Sequence, residues 1–307
     1  MPRRDAGSHP AGGTDAPVHV VVDNVHVRYT TPSSAATARA QVSLPRRALH
    51  RLVGSSPSVL VRALAGVSLV VHAGEAVGVV GLNGSGKSTL LRVVAGLERP
   101  ARGTVLASSV PLLLGVNAAM LTELSGRENV RLGCLAMGMS PAEATAALPD
   151  VVELAGIGAA IDHPMRTYST GMGARLRFAI AAASNPEVLL IDEALGAGDA
   201  AFKERSQDRM SALRGNAGCV LLVSHAAQTI EETCTRAVWL HQGRVVLDGE
   251  AEDVARRYRW FAWQLAQGEE AKAAGLLEEA YRDGTDTDVR LDLRGTAQHQ
   301  VRRRGGR

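Results

Sequence analysis

The stretch GLNGSGKSTL, residues 81 to 90, crowds three glycines ahead of Lys-Ser-Thr, and it follows EAVGVV directly. Gly81, Gly86, Lys87 and Ser88 keep the spacing of a phosphate-binding turn, G-x-x-x-x-G-K-S. Glycines let successive backbone N–H groups converge on one anion, and a helix starting at Lys87 adds the positive end of its dipole. The chemistry this describes is the capture of a nucleoside triphosphate with Mg²⁺. Gly81, Leu82, Asn83, Gly84, Ser85 and Gly86 would form the cradle. Lys87 would reach the β- and γ-phosphates, Ser88 would take a Mg²⁺ position, and Thr89 would contact the α-phosphate. A second run, VLLIDEAL, places Asp192 and Glu193 at the end of an apolar strand. Asp192 would hold Mg²⁺ through water, and Glu193 would polarise the water that attacks the γ-phosphorus. Two adjacent acids also suit any helix N-terminus; it is their pairing with the glycine turn that gives them a nucleotide role.

These residues need a strand before each motif and a helix after it. Residues 75–80 read as a short buried strand, and Leu90, Leu91, Val93 and Val94 as the apolar face of a helix. VLLID at 188–192 and CVLLVS at 219–224 read as further strands with helices between, and VWLHQGRVVLDGE as a hairpin. Residues 18–29 alternate like a strand, residues 67–72 resemble another, and residues 112–183 are mostly helical in pattern, punctuated by Pro141 and Pro149. Alternating strands and helices predict an α/β fold with a mostly parallel sheet.

The chain has 307 residues, 46% apolar and only 3% aromatic, with a formal charge of +3. One large domain with attachments fits this length. Residues 1–17 are expected to be a disordered arm, 30–60 an insertion rich in Ser, Ala, Pro and Arg, 251–283 a helical extension and 284–307 a basic disordered tail. Cys134, Cys219 and Cys234 show no C-x-x-C spacing, which points away from zinc or a disulfide framework and towards a reduced, cytosolic setting. The longest uncharged segment, 103–122, is too polar for a bilayer span, and the N-terminus lacks a secretory apolar region. Any membrane role is therefore expected through a partner.

Between and after the two motifs stand YSTGMGARLRFAIAAASNPEVLLIDEAL, GAGDAAFKER and LLVSHAAQTIEE. In this order they resemble the ATP-binding subunits of ABC transporters, over 18–250 or a little beyond. The resemblance implies a P-loop NTPase with a mostly parallel core sheet, an antiparallel β subdomain and an α-helical signature subdomain at about 116–178. It implies roles for Ser169, Gly171 and Met172 in the signature element, Asp199 in the D-loop, His225 as switch histidine and Tyr29 stacked on adenine. YSTGM, LSGREN, DEALGAGDAAF and the LDGE close further resemble the branch that exports teichoic acid, O-antigen or galactan chains. That branch implies a homodimer on an ABC-2 type membrane permease at the cytoplasmic face, with no nucleic acid partner and no direct contact with the glycan. By resemblance, Ser169 and the backbone near Gly171 of one copy complete the γ-phosphate site of the other, His225 orients that phosphate, and Asp199 links the two sites.

The sequence also departs from the family pattern. Thr170 and Met172 replace a glycine and a glutamine of the commoner signature, and no glutamine occurs between Lys87 and Gln207, so the Q-loop glutamine is missing. Asn117 is a candidate substitute. The segment YRWFAWQLA brings together Tyr258, Trp260, Phe261 and Trp263, which suits either a helix packed on the core or a contact with a membrane subunit or bilayer edge. Other ABC-type ATPases, for drugs or small molecules, and a soluble ATPase or a nucleotide-dependent regulator are the alternatives to polysaccharide export.

Overall fold

The computed structural model describes residues 16–32, 58–114, 120–184, 186–192, 209, 211–224, 226–291 and 297–304. Its centre is a six-stranded sheet built from β3 (Ala76–Val80), β5 (Leu112–Leu114), β6 (Val188–Asp192), β7 (Cys219–Val223), β8 (Arg236–His241) and β9 (Arg244–Glu250). The order is β5-β6-β7-β3-β8-β9, parallel throughout except for the β8–β9 hairpin at one edge. The inner strands are short, almost unbroken apolar runs because both of their faces are covered. On one face lies α1 (Lys87–Val94), whose Leu90, Leu91, Val93 and Val94 are all buried. On the other lie α6 (Ala227–Thr233) and α7 (Ala251–Ala266). α6 sits so close to β3 that any side chain at Gly78 would collide with Ile230.

A second sheet, order β2-β1-β4, is antiparallel and formed by β1 (Val18–Pro32), β2 (Ser58–His72) and β4 (Arg102–Ala107). Its inner face, with Val20, Val22, Val25, Val27, Val67, Leu69 and Val71, closes over α1 and the central sheet. The helical unit contains α2 (Gly126–Ala136), α3 (Pro141–Ala146), α4 (Leu148–Ala155) and α5 (Thr170–Ala183), packed around Val130, Cys134, Leu176 and Ile180. Two serines start helices here with reciprocal capping boxes, Ser125 with Glu128 and Ser140 with Glu143. These bonds hold both glutamates below the usual carboxylate range. The cysteines are free, and burial pushes the Cys219 thiol up to about 12, with Glu75 and Glu187 adding to it.

Several expectations change. β5 interrupts the stretch expected to be helical from 112, because three leucines extend the parallel sheet beside β6. β4, an exposed strand, carried too little apolar pattern to be read. Strand structure also reaches into the expected insertion, since residues 30–32 pair with 58–60; residues 33–57 lie outside the described part, as do 1–15. The largest correction concerns the tail. Instead of a disordered segment from 284, β10 (Thr285–Leu291) and β11 (Ala297–Arg303) form an antiparallel hairpin after α8 (Glu270–Asp283). Val289 packs on Val21 and Val70. Arg304 bonds the carbonyls of Val245 and Val246 at 2.9 and 3.0 Å and Asp286 at 2.7 Å, and covers the ring of Tyr281. Arg304, whose charge read as solvated, is spent on a strand's carbonyls and on Asp286.

Candidate nucleotide site

The phosphate loop begins where β3 ends, and its shape is fixed from three sides. Lys87, first residue of α1 and 5% exposed, donates from Nζ to the carbonyls of Gly81 (2.6 Å) and Leu82 (3.0 Å). Gly86, the N-cap, has φ 107°, a left-handed conformation, and a Cβ there would stand 2.5 Å from the Ala63 carbonyl of β2. From the third side, the β8–β9 turn donates Gly243 N–H to the Ser85 carbonyl at 2.9 Å and accepts Ala65 N–H on its own carbonyl at 2.8 Å. Gln242 and Gly243 both have positive φ, 48° and 76°, the geometry of a tight two-residue hairpin. Sequence reasoning missed this brace, although Gln-Gly between two apolar runs was its signal.

The loop fits an anion. The N-cap of α1 is Gly86, which brings no side-chain cap to the start of the helix. Ser85 Oγ is buried without a hydrogen-bond partner, whereas Gly84 and Ser88 are exposed. Thr89 follows half-buried in the first turn, and Leu82 and Asn83 form the outer part of the loop. For a hard cation the available donors are oxygens: Ser88 at the start of α1 and half-buried Asp192 at the carboxyl end of β6, two strands from β3 in the same parallel sheet. Among the described residues no group of three or more His, Cys, Asp or Glu is placed to hold a metal ion. Mg²⁺ is usually held by one or two side chains plus substrate phosphates rather than by a protein cage, and Ser88 and Asp192 are donors of that kind.

Tyr29 lies on the inner face of β1, half-buried against the cluster around α1, with its hydroxyl buried and unpartnered. Glu193, Asp199, His225 and Asn117 fall outside the described residues. The signature residues form a separate group. Ser169 is the N-cap of α5 and accepts the Met172 N–H at 3.2 Å; Ser169, Thr170 and Gly171 are exposed, Met172 less so. α5 is 14 residues long, and its far end packs Ala181 and Ala182 into the central core. At about 1.5 Å per residue it carries Ser169 roughly 20 Å from that end. The Ser169 end of α5 thus stands a helix length away from the part packed on the core, with its first residues exposed.

Two further residues shape the surroundings without having been legible. Asn129, buried in α2, bonds Leu121 N–H at 2.8 Å and the carbonyls of Leu121 and Ser125, pinning the loop before that helix. Arg236 meets Asp248 through two 2.7 Å bonds and also reaches Val70 and Glu75, tying β8, β9 and β2 together beside β3. Burial opposes its charge, but the two carboxylates outweigh burial and hold it protonated.

Residues 64–196, from β2 through β6, match the protein family described as ABC transporter. This chain contains an ABC transporter ATP-binding domain. Among curated relatives, the teichoic acids export ATP-binding protein TagH of Enterococcus faecalis is 39% identical over 199 residues, 65% of this chain and 44% of its own length. The protein of the same name from Lactococcus lactis is 37% identical over 235 residues, 75% and 50%, and that from Listeria monocytogenes 37% over 203 residues, 65% and 61%. The chain thus spans about half the length of the curated relatives it matches. Among solved structures, an ATP binding subunit of an ABC transporter superposes with a TM-score of 0.58 at 25% identity, over 78% of this chain and 93% of that one. A dimeric ATP-binding cassette in a post-hydrolysis state, bound to ADP and Pi, gives 0.56 at 21% identity over 76% and 98%, a likeness of fold. The α/β cassette, with its antiparallel and helical units, agrees with the architecture expected from the motifs.

Proposed function

We propose that this chain is the ATP-hydrolysing subunit of a transporter that exports a polysaccharide of the teichoic acid kind through a separate membrane permease. The observation that carries the reading is the 39% identity over 199 residues to a teichoic acids export ATP-binding protein, in a chain whose preformed phosphate loop lies within the family match of 64–196. ATP supplies the triphosphate, and Mg²⁺, held by Ser88 and Asp192, would offset its charge. Lys87 and the α1 amides bind and orient the phosphates. Ser169 and the α5 N-terminus of a second copy add donors around the developing equatorial charge, so the working unit is a homodimer. Glu193 takes the proton of the attacking water, and His225 holds the γ-phosphate. Among the described residues no helix is long and apolar enough to cross a membrane, which fits a subunit that meets the bilayer's cytoplasmic face through a permease of the ABC-2 type.

Glu193→Gln tests the catalytic half. It is expected to keep ATP affinity and lose about 10² to 10³-fold in turnover, the usual cost of removing one preorganised group; near-normal hydrolysis would remove Glu193 from its role. Co-purification with the permease tests the transport half, with ATPase activity expected to rise on assembly. A second reading, a regulator that binds ATP without turnover, is favoured by the missing Q-loop glutamine. ATP binding with no hydrolysis in the assembled complex would select it.

A further inference from the structure

The outer face of the antiparallel sheet is divided. One half lies under the C-terminal hairpin, where Val289 packs on Val21 and Val70, and the acidic side chains Asp23, Asp286 and Asp288 gather there. The other half carries Arg28, Arg62 and Arg102 around His26, and Arg244 at the start of β9 borders it; all four arginines are exposed. Register places them together: His26 is opposite both Arg102 and Ala65, Arg28 is directly opposite Arg62, and Ala65 bonds the residue preceding Arg244. Among the described residues none of these four arginines makes an ion pair.

Two like charges directly opposite on neighbouring strands repel, and a sheet stabilised only for itself would place an acid at one of them. The pair also lies where β1 and β2 run beyond β4. β4 pairs with β1 no further than residue 26, so residues 28–32 and 58–62 form a two-stranded ribbon that leaves the sheet. On the same face as Arg28 and Arg62, Leu60 is 54% exposed.

We propose that this arginine face of the β1–β2 ribbon rests directly on an anionic phospholipid surface. Lipid is favoured over nucleic acid because an exposed leucine stands among the arginines on the ribbon; that mixture suits the boundary between headgroups and acyl chains. The contact goes beyond attachment through a permease, since it gives the subunit its own hold on the bilayer. It also accounts for the unpaired Arg28–Arg62 juxtaposition, because lipid phosphates supply the negative charge that the sheet lacks.

The test is sedimentation of the full chain with vesicles of phosphatidylglycerol in phosphatidylcholine, and with phosphatidylcholine alone, without ATP or permease, so that its outcome is independent of the transport reading. Binding is expected on the anionic vesicles only and should fall steeply as salt rises. Each arginine near such a surface contributes roughly fivefold in partitioning, so Arg28→Gln/Arg62→Gln should lower it about 25-fold. Arg131→Gln on α2 should change it less than about twofold, since that charge lies away from the surface. Relief of the cross-strand repulsion should leave the melting temperature of the double variant equal or higher, which separates lost binding from lost folding. Equal binding to neutral vesicles, native binding by the double variant, or preferential capture of duplex DNA that the same substitutions abolish would each overturn the proposal.

Discussion

Replacing Gly86 by alanine isolates the brace behind the phosphate loop. Two costs meet at this residue. An L-residue held at φ 107° is strained by about 1–3 kcal/mol. The new Cβ would also stand 2.5 Å from the Ala63 carbonyl, where ordinary contact begins at 3.4 Å, so loop and strand must part by about 0.9 Å. Because the obstacle is β2 backbone, it cannot rotate aside, and such overpacking adds about 1–3 kcal/mol. Gly84→Ala is the matched control: its φ is 77°, but a Cβ there meets nothing within 4 Å, so only the first cost applies. For a domain of this size each kcal/mol shifts the melting temperature by about 2–4 °C. Gly86→Ala should therefore melt about 3–10 °C below Gly84→Ala in nucleotide-free calorimetry. It should also weaken ATP binding about 100-fold, through misplacement of two charge-assisted amide bonds. Equal melting of the two variants, or native ATP affinity in Gly86→Ala, would refute the claim that β2 holds the loop in its binding shape.

Other substitutions probe the frame. Arg236→Met leaves Asp248 buried and unpaired and should destabilise the chain by about 3–5 kcal/mol in denaturant titration, whereas Arg236→Met with Asp248→Leu should recover part of that loss. Phe261, 2% exposed and packed on Trp239, should cost about 3–5 kcal/mol when cut to alanine. Trp260→Ser with Trp263→Ser, at two half-exposed residues whose rings meet each other, should change stability by less than about 1 kcal/mol. Burial lowers the pKa of His241 beside Phe261. Its unfolded form therefore binds protons first as pH falls, so the stability it contributes is full above about pH 6.5 and declines on acidification. Melting curves of His241→Gln between pH 7.5 and 5.5, a range chosen to span about one unit either side of that value, should slope less than those of the native chain.

The nucleotide loop was legible because its chemistry needs particular residues at fixed spacing, and because β3 and α1 announce themselves as apolar runs of different period. The helical unit was legible in its patterns, and the caps at Ser125 and Ser140 agree with it. What escaped was long-range. Nothing local marks Leu112–Leu114 as a strand; the parallel neighbour β6 makes it one. The tail looked disordered because its arginines were weighed as charge, while Arg304 acts as a donor to the carbonyls of Val245 and Val246. The aromatic segment had two readings, and α7 divides between them: Tyr258 and Phe261 are core, while Trp260 and Trp263 face outward. Only the fold could assign the faces.

The central claim, that each ATP is enclosed by the phosphate loop of one copy and the Ser169 end of α5 from the other, is tested most directly by mixing two inactive variants. In Lys87→Ala the phosphate loop fails, and in Ser169→Arg the donor end fails. A mixed dimer then keeps one site in which both halves are native. With half of the dimers mixed and one of two sites intact, single-turnover hydrolysis should return to roughly a quarter of the native amplitude, as two-fold symmetry requires. A mixture no more active than either variant alone would contradict the shared site.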